Sequence, residues 1–281
     1  MDLGLEDRVV VVTGASGGIG RALADEFAAE GALLVLHGNS RLAELRRHAA
    51  SRKWKKRAIV AGGDLAKPRA ADALLAKALA RWGRVDVCVA NAGHYPTETL
   101  RLDRVSEKRV RETVDANLLA SAWTARAFFA ALAKTGPRPG EGASLLLIGS
   151  TAGHFGERGH FDYSVAKAGL AGLLLTLKNE IVELDPFGRV NMIEPGWTVT
   201  HNVRASLERE GAIARVVSTM PLRQLGRATD VAKAAAWISS PVAARHVSGQ
   251  TLVLAGGMEG RVRWAADDVD EAAIRRRARD A

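Results

Sequence analysis

With 281 residues, 47% of them apolar and 5% aromatic, the chain can bury one large α/β core or two small ones. Its formal charge of +9 raises the question of nucleic acid, but the arginines are scattered and no nucleic-acid motif accompanies them. The single cysteine, Cys88, excludes an internal disulfide. No stretch is long and apolar enough to span a membrane and the charged residues 1–8 are no signal peptide, so a soluble cytoplasmic protein is expected.

Residues 8–12, an arginine and four valines, predict a first strand. The strand stops at Thr13-Gly14-Ala15-Ser16-Gly17-Gly18-Ile19-Gly20, after which Ala22, Leu23, Phe27 and Ala28 recur at helical spacing. Strand, glycine-rich turn and helix describe a phosphate cradle. Gly14 permits the tight turn, Gly18 lets a pyrophosphate approach the backbone, and Gly20 lets the helix close on the strand. The helix N-terminus then directs free N–H groups at the phosphates. The second strand covers 32–36, and its tip reads His37-Gly38-Asn39-Ser40-Arg41, with no carboxylate for the 2′-hydroxyl of NAD. Arg41 can fork onto a 2′-phosphate, with Asn39 and Ser40 as hydrogen-bond donors. NADP(H) is therefore favoured and NAD(H) remains possible.

A helix over 42–50 and a solvated basic loop over 52–57 lead to a third strand at 58–61, followed by Gly62-Gly63-Asp64-Leu65. A helix over 70–82 ends at Gly83, and the fourth strand, 85–90, carries Cys88 as a small buried hydrophobe before Asn91-Ala92-Gly93. Strands alternating with helices imply a parallel sheet joined by right-handed crossovers. The span 105–129 reads as one long helix with Asn117 inside it, where a polar amide either caps a bend or does work. Residues 134–142 are a surface loop and 144–148 the fifth strand, ending at Gly149-Ser150. Tyr163 and Lys167 then share one face of a helix that runs to 183. A phenol titrates near ~10, and an ammonium one turn away is expected to pull it down. Strand six covers 190–194 and leads into Pro195-Gly196-Trp197-Thr198-Val199-Thr200. Residues 201–223 read as one or two helices forming a lid, 229–239 as a helix, and 249–258 as the seventh strand.

These residues, in this order, resemble the short-chain dehydrogenase/reductase family, in its 3-oxoacyl-carrier-protein-reductase-like branch, over about residues 5–258. The resemblance implies a single Rossmann-type doubly wound parallel sheet of about seven strands with helices on both faces. Residues 1–258 would form one dinucleotide-binding and catalytic domain, and 259–281 a charged tail. It also implies the roles. Gly14, Ser16, Gly18 and Ile19 would cradle the pyrophosphate and its ribose, Asp64 and Leu65 flank the adenine, and Asn91 and Gly93 line the ribose floor. Tyr163 would be the acid/base, Lys167 would lower its pKa and hold the nicotinamide ribose, and Ser150 would steady the carbonyl. Asn117 would hold a water leading from Lys167 to solvent, and Pro195, Gly196, Thr198 and Thr200 would hold the nicotinamide.

The activity implied is interconversion of a carbonyl and a secondary alcohol with NADP(H), by a homodimer or homotetramer joined through 105–129 and 163–183. No metal, nucleic acid or membrane partner is expected. The alternatives are a reductase of 3-oxoacyl thioesters, whose acidic carrier the positive charge would attract, and a non-catalytic dinucleotide-binding regulatory protein. Departures from the family pattern are Ala90 before Asn91, Gly17 where a basic residue is frequent, Ala255 where Asp is frequent, and a longer tail. Candidate substrate contacts are Tyr95, His154, Phe155, His160, Phe161, Trp197 and residues of 201–223.

Overall fold

A computed structural model describes residues 1–138, 141–200, 211–261 and 269–274. In chain order the first half comprises β1 (Val9–Val12), α1 (Gly18–Ala29), β2 (Leu33–Gly38), α2 (Leu42–Ala50), β3 (Ala58–Gly62), α3 (Pro68–Trp82), β4 (Val87–Ala90), α4 (Glu107–Val114) and α5 (Ala120–Thr135). The second half comprises β5 (Ser144–Ile148), α6 (Thr151–Phe155), α7 (Phe161–Leu184), β6 (Arg189–Pro195), β7 (Thr198–Val199), α8 (Ala212–Val217), β8 (Gly226–Arg227), α9 (Ala228–Ser239) and β9 (Thr251–Leu254).

The four valines of β1 explain the layering. Val9 and Val11 join one apolar cluster and Val10 and Val12 the other, so this strand is buried on both faces and belongs at the centre of a parallel sheet. Seven strands pair in the order β3-β2-β1-β4-β5-β6-β9, every pair parallel. Leu23 and Phe27 of α1, Leu45 of α2 and Val231 of α9 cover one face. Leu74 of α3, Phe128 of α5 and Leu170 of α7 cover the other. The strand order reverses between β1 and β4, and the crevice beyond their carboxyl ends is where such sheets bind ligands. Cys88 lies fully buried in β4, its thiol pushed up to about 12 by burial, as a small hydrophobe would be.

The structure departs from the sequence reading in several places. The helix expected over 105–129 is α4, a π-turn at Asp115–Leu119, and α5, so the buried Asn117 marks a bulge rather than a regular turn. A five-residue helix, α6, follows Ser150 directly and ends at Gly156, whose φ of +74° is easy only for glycine. The basic stretch over 52–57 contains a short 3-10 turn, Lys53–Arg57, with Lys55 and Lys56 exposed and Trp54 packed against the core. A two-residue ladder joins β7 to β8. Within the lid expected at 201–223, residues 201–210 lie outside the described residues and α8 is the helix seen. Of the tail, 262–268 and 275–281 lie outside as well.

One buried cation is purely architectural. Arg189 donates to the carbonyls of Ile238 (2.8 Å), Ser239 (3.0 Å) and Ala244 (3.1 Å), so its guanidinium closes the end of α9. Among the described residues no helix is long and apolar enough to cross a membrane, and no group of metal-ligating side chains is gathered.

Candidate active site

Close approach dictates the glycines after β1. A Cβ on Gly20 would lie 2.2 Å from the Gly14 carbonyl oxygen, one on Gly14 2.8 Å from Ala92 Cα, and one on Gly18 2.5 Å from Thr200 Cβ. No side chain caps the N-terminus of α1 and its first turn holds no acidic residue, which leaves N–H groups and a positive end free for an anion. The cradle is tied to β4 through Thr13, whose hydroxyl oxygen accepts from the backbone N–H of Asn91 and of Ala92, each at 2.9 Å. The Asn91 side chain donates to the Thr13 carbonyl at 2.8 Å.

At the tip of β2, Arg41 Nη2 lies 3.8 Å from the position of a Cβ on Gly17, so the guanidinium reaches over the glycine loop. It has no ion-pair partner among the described residues, and Asn39 and Ser40 are exposed beside it. Ser16 is buried and Ile19 half-buried against the core. Asp64 is exposed, its carboxylate accepting from Ala66 N–H at 3.1 Å, whereas Leu65 is buried in the core, so at this edge Asp64 offers the exposed polar group. Thr198 is buried and donates to the Gly196 carbonyl at 3.1 Å. A glycine cradle and an uncapped helix end, with the Arg41 guanidinium beside them, fit a dinucleotide.

Ser150, Tyr163, Lys167 and Asn117 meet beyond β5. Ser150 caps α6, its hydroxyl oxygen accepting from Ala152 N–H at 3.1 Å, and it hydrogen-bonds to the Tyr163 phenol. Lys167 Nζ donates to the Ile148 carbonyl at 2.8 Å and lies 5.9 Å from the centre of the Tyr163 ring. Burial pushes Lys167 down to about 8. The expected lowering of Tyr163 by Lys167 is not what the site shows. Burial holds the phenol above its ordinary value, the Ser150 hydrogen bond pulls down, and Glu157 adds to the rise. Asn117 is fully buried, and its amide donates to the carbonyls of His94 (2.8 Å) and Thr113 (2.9 Å) and accepts from His94 N–H (3.1 Å). A Cβ on Gly93 would lie 2.7 Å from Asn117 Oδ1 and 3.5 Å from Lys167 Nζ, so the cradle floor and the proton-handling groups adjoin.

Residues 14–259 match the family model described as enoyl-(acyl carrier protein) reductase. The chain also superposes on the crystal structure of a short-chain dehydrogenase/reductase, a glucose/ribitol dehydrogenase of Brucella melitensis. The TM-score is 0.81 at 30% identity, with 92% of this chain and 98% of that one covered. The chain belongs to the short-chain dehydrogenase/reductase family. It is 32% identical over 258 residues to the 3-oxoacyl-[acyl-carrier-protein] reductase FabG of Escherichia coli, spanning 91% of this chain and 99% of the relative. It is 34% identical over 260 residues to the L-rhamnose 1-dehydrogenase (NAD(P)(+)) of Azotobacter vinelandii, spanning 90% and 97%. This short-chain dehydrogenase/reductase is accordingly an oxidoreductase served by a nicotinamide dinucleotide.

The candidate substrate contacts divide. Tyr95 packs edge-on against Tyr163, ring centres 5.0 Å apart, and lies 4.5 Å from His160. His160 is buried, with Nε2 3.2 Å from the Thr99 hydroxyl and Nδ1 without a hydrogen-bond partner among the described residues. His154 turns elsewhere: its Nδ1 lies 3.1 Å from the carboxylate of Glu194 at a cavity of about 370 Å³ against β9, lined also by Met192 and Val253. Phe155 packs with Met220, Ala255 and Met258 in a small separate cluster. Phe161 and Trp197 are half-buried.

Two positioning groups carry no signal in the sequence. His37 is buried, and its Nδ1 accepts from Gly14 N–H (3.3 Å) while Nε2 donates to the Gly63 carbonyl (2.9 Å), bolting the glycine loop to the end of β3. Burial lowers its pKa, which favours the neutral ring this pairing requires. Asp162, beside Tyr163, is buried and accepts from Arg109 Nε and from the Thr113 hydroxyl, each at 2.9 Å. That contact fixes the start of α7 on α4.

Proposed function

We propose that this protein interconverts a carbonyl and a secondary alcohol with NADP(H) as the preferred cofactor. The observation that carries this reading is the meeting of Ser150, Tyr163 and Lys167 beside an uncapped glycine cradle. When bound, the dinucleotide supplies or accepts the hydride. Gly14, Ser16, Gly18 and Ile19 hold its pyrophosphate side, Asp64 and Leu65 the adenine edge, and Asn91 and Gly93 the ribose floor. Pro195, Gly196, Thr198 and Thr200 orient the nicotinamide. Arg41, with Asn39 and Ser40, selects the 2′-phosphate, because a planar fork pairs with phosphate oxygens in two bonds.

In the reducing direction the Tyr163 hydroxyl gives its proton to the substrate oxygen while Ser150 donates a hydrogen bond to the same oxygen. A phenol held above its ordinary value is protonated at neutral pH, which suits this acid role. Lys167 steadies the phenolate left behind, and Asn117 holds the bulged helix that places a solvent path to Lys167. Substituting Tyr163→Phe abolishes turnover and leaves NADPH binding, followed by fluorescence titration, nearly intact. Substantial residual turnover would remove Tyr163 from the acid role.

A second reading, reduction of 3-oxoacyl thioesters, draws support from the similarity to FabG and from the net charge of +9, which suits an acidic carrier. A screen of ketones, 3-oxoacyl thioesters and secondary alcohols with both cofactors separates the two, and turnover of none supports the non-catalytic alternative. We further infer a cytoplasmic homodimer or homotetramer. Val165, Leu175 and Val182 of α7 are exposed apolar side chains suited to burial against a second copy.

A further inference from the structure

The helix α6 is only five residues long, ends at Gly156 and carries Ser150 as its cap. One and a half turns do not hold themselves, because nucleation is unfavourable until tertiary contacts offset it. The anchors come from two sides. On the inner side a Cβ on Gly153 would lie 2.8 Å from the backbone of Lys167 and Ala168, so α6 rests directly on α7. On the outer side the contacts come from the end of the chain. Phe155 packs with Met258, and Arg261 grips both ends of the helix: Nη2 donates to the Thr151 hydroxyl at 3.2 Å, Nε donates to the Gly156 carbonyl at 3.2 Å, and Nη2 pairs with Glu157 at 3.0 Å. The same guanidinium touches Met258 Sδ at 3.0 Å. It is thus committed to a single neighbourhood, in contrast to the exposed arginines elsewhere on the surface.

We propose that Arg261 is a positioning residue of the active site, fastening the start of the C-terminal extension to α6 so that Ser150 is held on Tyr163 and the charge of Glu157 is neutralised. The groups facing Tyr163 give the idea its electrostatic side. Lys167 comes from its own helix, Tyr95 from the loop after β4, and Glu157 from the loop before α7. His160 packs on the ring of Tyr95, and the charges of Arg109 and Arg261 act on its phenol against that of Glu157. Glu157 acts to raise both phenols, and Arg261 is its ion-pair partner. Unpaired, Glu157 disfavours a tyrosinate more strongly.

The kinetic consequence rests on the acid role proposed for Tyr163, and two readouts do not. The chain has only two tyrosines, so in a Tyr95→Phe background the tyrosinate absorbance reports Tyr163 alone. Adding Arg261→Gln moves that titration to higher pH, and adding Glu157→Gln as well moves it back. In the full-length Arg261→Gln protein, hydrogen exchange over 150–157 speeds about tenfold or more while β5 and the middle of α7 keep wild-type rates. With a substrate from the screen, kcat falls on the order of 10- to 100-fold with little change in KM for NADPH, the mark of lost orientation. Arg261→Lys, which keeps the charge and loses the fork, retains the wild-type titration and shows intermediate exchange. It also serves if the glutamine variant does not fold. Wild-type exchange over 150–157 together with an unmoved Tyr163 titration in Arg261→Gln overturns the proposal. Loss of turnover in every variant and in the wild type would overturn the catalytic reading instead and leave the strap standing.

Discussion

Lys167 is a cation kept where cations are costly. It is 4% exposed, its ammonium has one carbonyl partner, and no carboxylate pairs with it among the described residues. Burial carries its pKa from 10.5 to about 8. That difference, at about 1.4 kcal/mol per pH unit, means that the folded state gives up about 3 kcal/mol to hold this charge. Lys167→Met keeps the length and removes the charge. It also leaves the Ile148 carbonyl without its donor, which costs about 1 kcal/mol. The variant is therefore expected to be about 2 kcal/mol more stable than the parent at neutral pH. Below the folded value of about 8 both states of the parent are charged and the penalty is complete. Between there and 10.5 the unfolded chain holds more protons, so the parent gains stability as pH rises and the gap closes. Urea midpoints of both proteins without cofactor, at pH 7 and about 9.5 and at one protein concentration, test this. A variant no more stable than the parent at pH 7, or a gap that widens with pH, refutes the reasoning.

Asp162→Ala strands Arg109 and the Thr113 hydroxyl, and is expected to cost about 3 kcal/mol in thermal or urea unfolding and to lower kcat by displacing Tyr163. Burial alone would raise the Asp162 carboxyl, but hydrogen bonds from Arg109 and Thr113 outweigh it and hold the group below its ordinary value. Its contribution is therefore complete above the unfolded value of about 3.9 and is lost as pH falls through the lower folded value, so the parent and variant curves should converge in acid. Arg41→Ala should raise KM for NADPH on the order of 10- to 100-fold and leave KM for NADH nearly unchanged; equal weakening would remove the 2′-phosphate role. Arg189→Met deprives the carbonyls of Ile238 and Ser239 at the end of α9, and of Ala244 in the turn beyond, of their donor, and a loss of about 2–4 kcal/mol should appear in the same unfolding assay.

What the sequence reveals here is what local pattern encodes. The apolar runs of β1, β4 and β5 announce strands buried on both faces, and Gly20 announces the close approach of helix to strand that the crowding around it shows. The meeting of Ser150 with Tyr163 is legible because family order stands in for distance. The helix α6 is not, because Thr-Ala-Gly-His-Phe is too short to show a period and is held by partners far along the chain, Arg261 being 110 residues from Thr151. His37 bridges Gly14 and Gly63, and Arg109 reaches Asp162 across 53 residues. Neither pairing has a local signal. The direction of the Tyr163 shift escapes the sequence for a related reason. Adjacency to Lys167 can be read from spacing, whereas burial, the larger effect, cannot.

The π-turn at Asp115–Leu119 makes the number of residues between α4 and α5 a functional quantity. One residue advances an α-helix by about 100°, and a single π-turn takes up one extra residue while leaving the helices on either side close to phase. Deleting Ala116 would therefore join α4 and α5 into one regular helix, with Arg109 and Thr113 still near Asp162 and Phe128 still in the core. What would be lost is the bulge that seats the Asn117 amide on His94. A change that improves local regularity would thus loosen the cradle floor, while insertions beyond Thr135, where the chain leaves α5, would be absorbed at the surface.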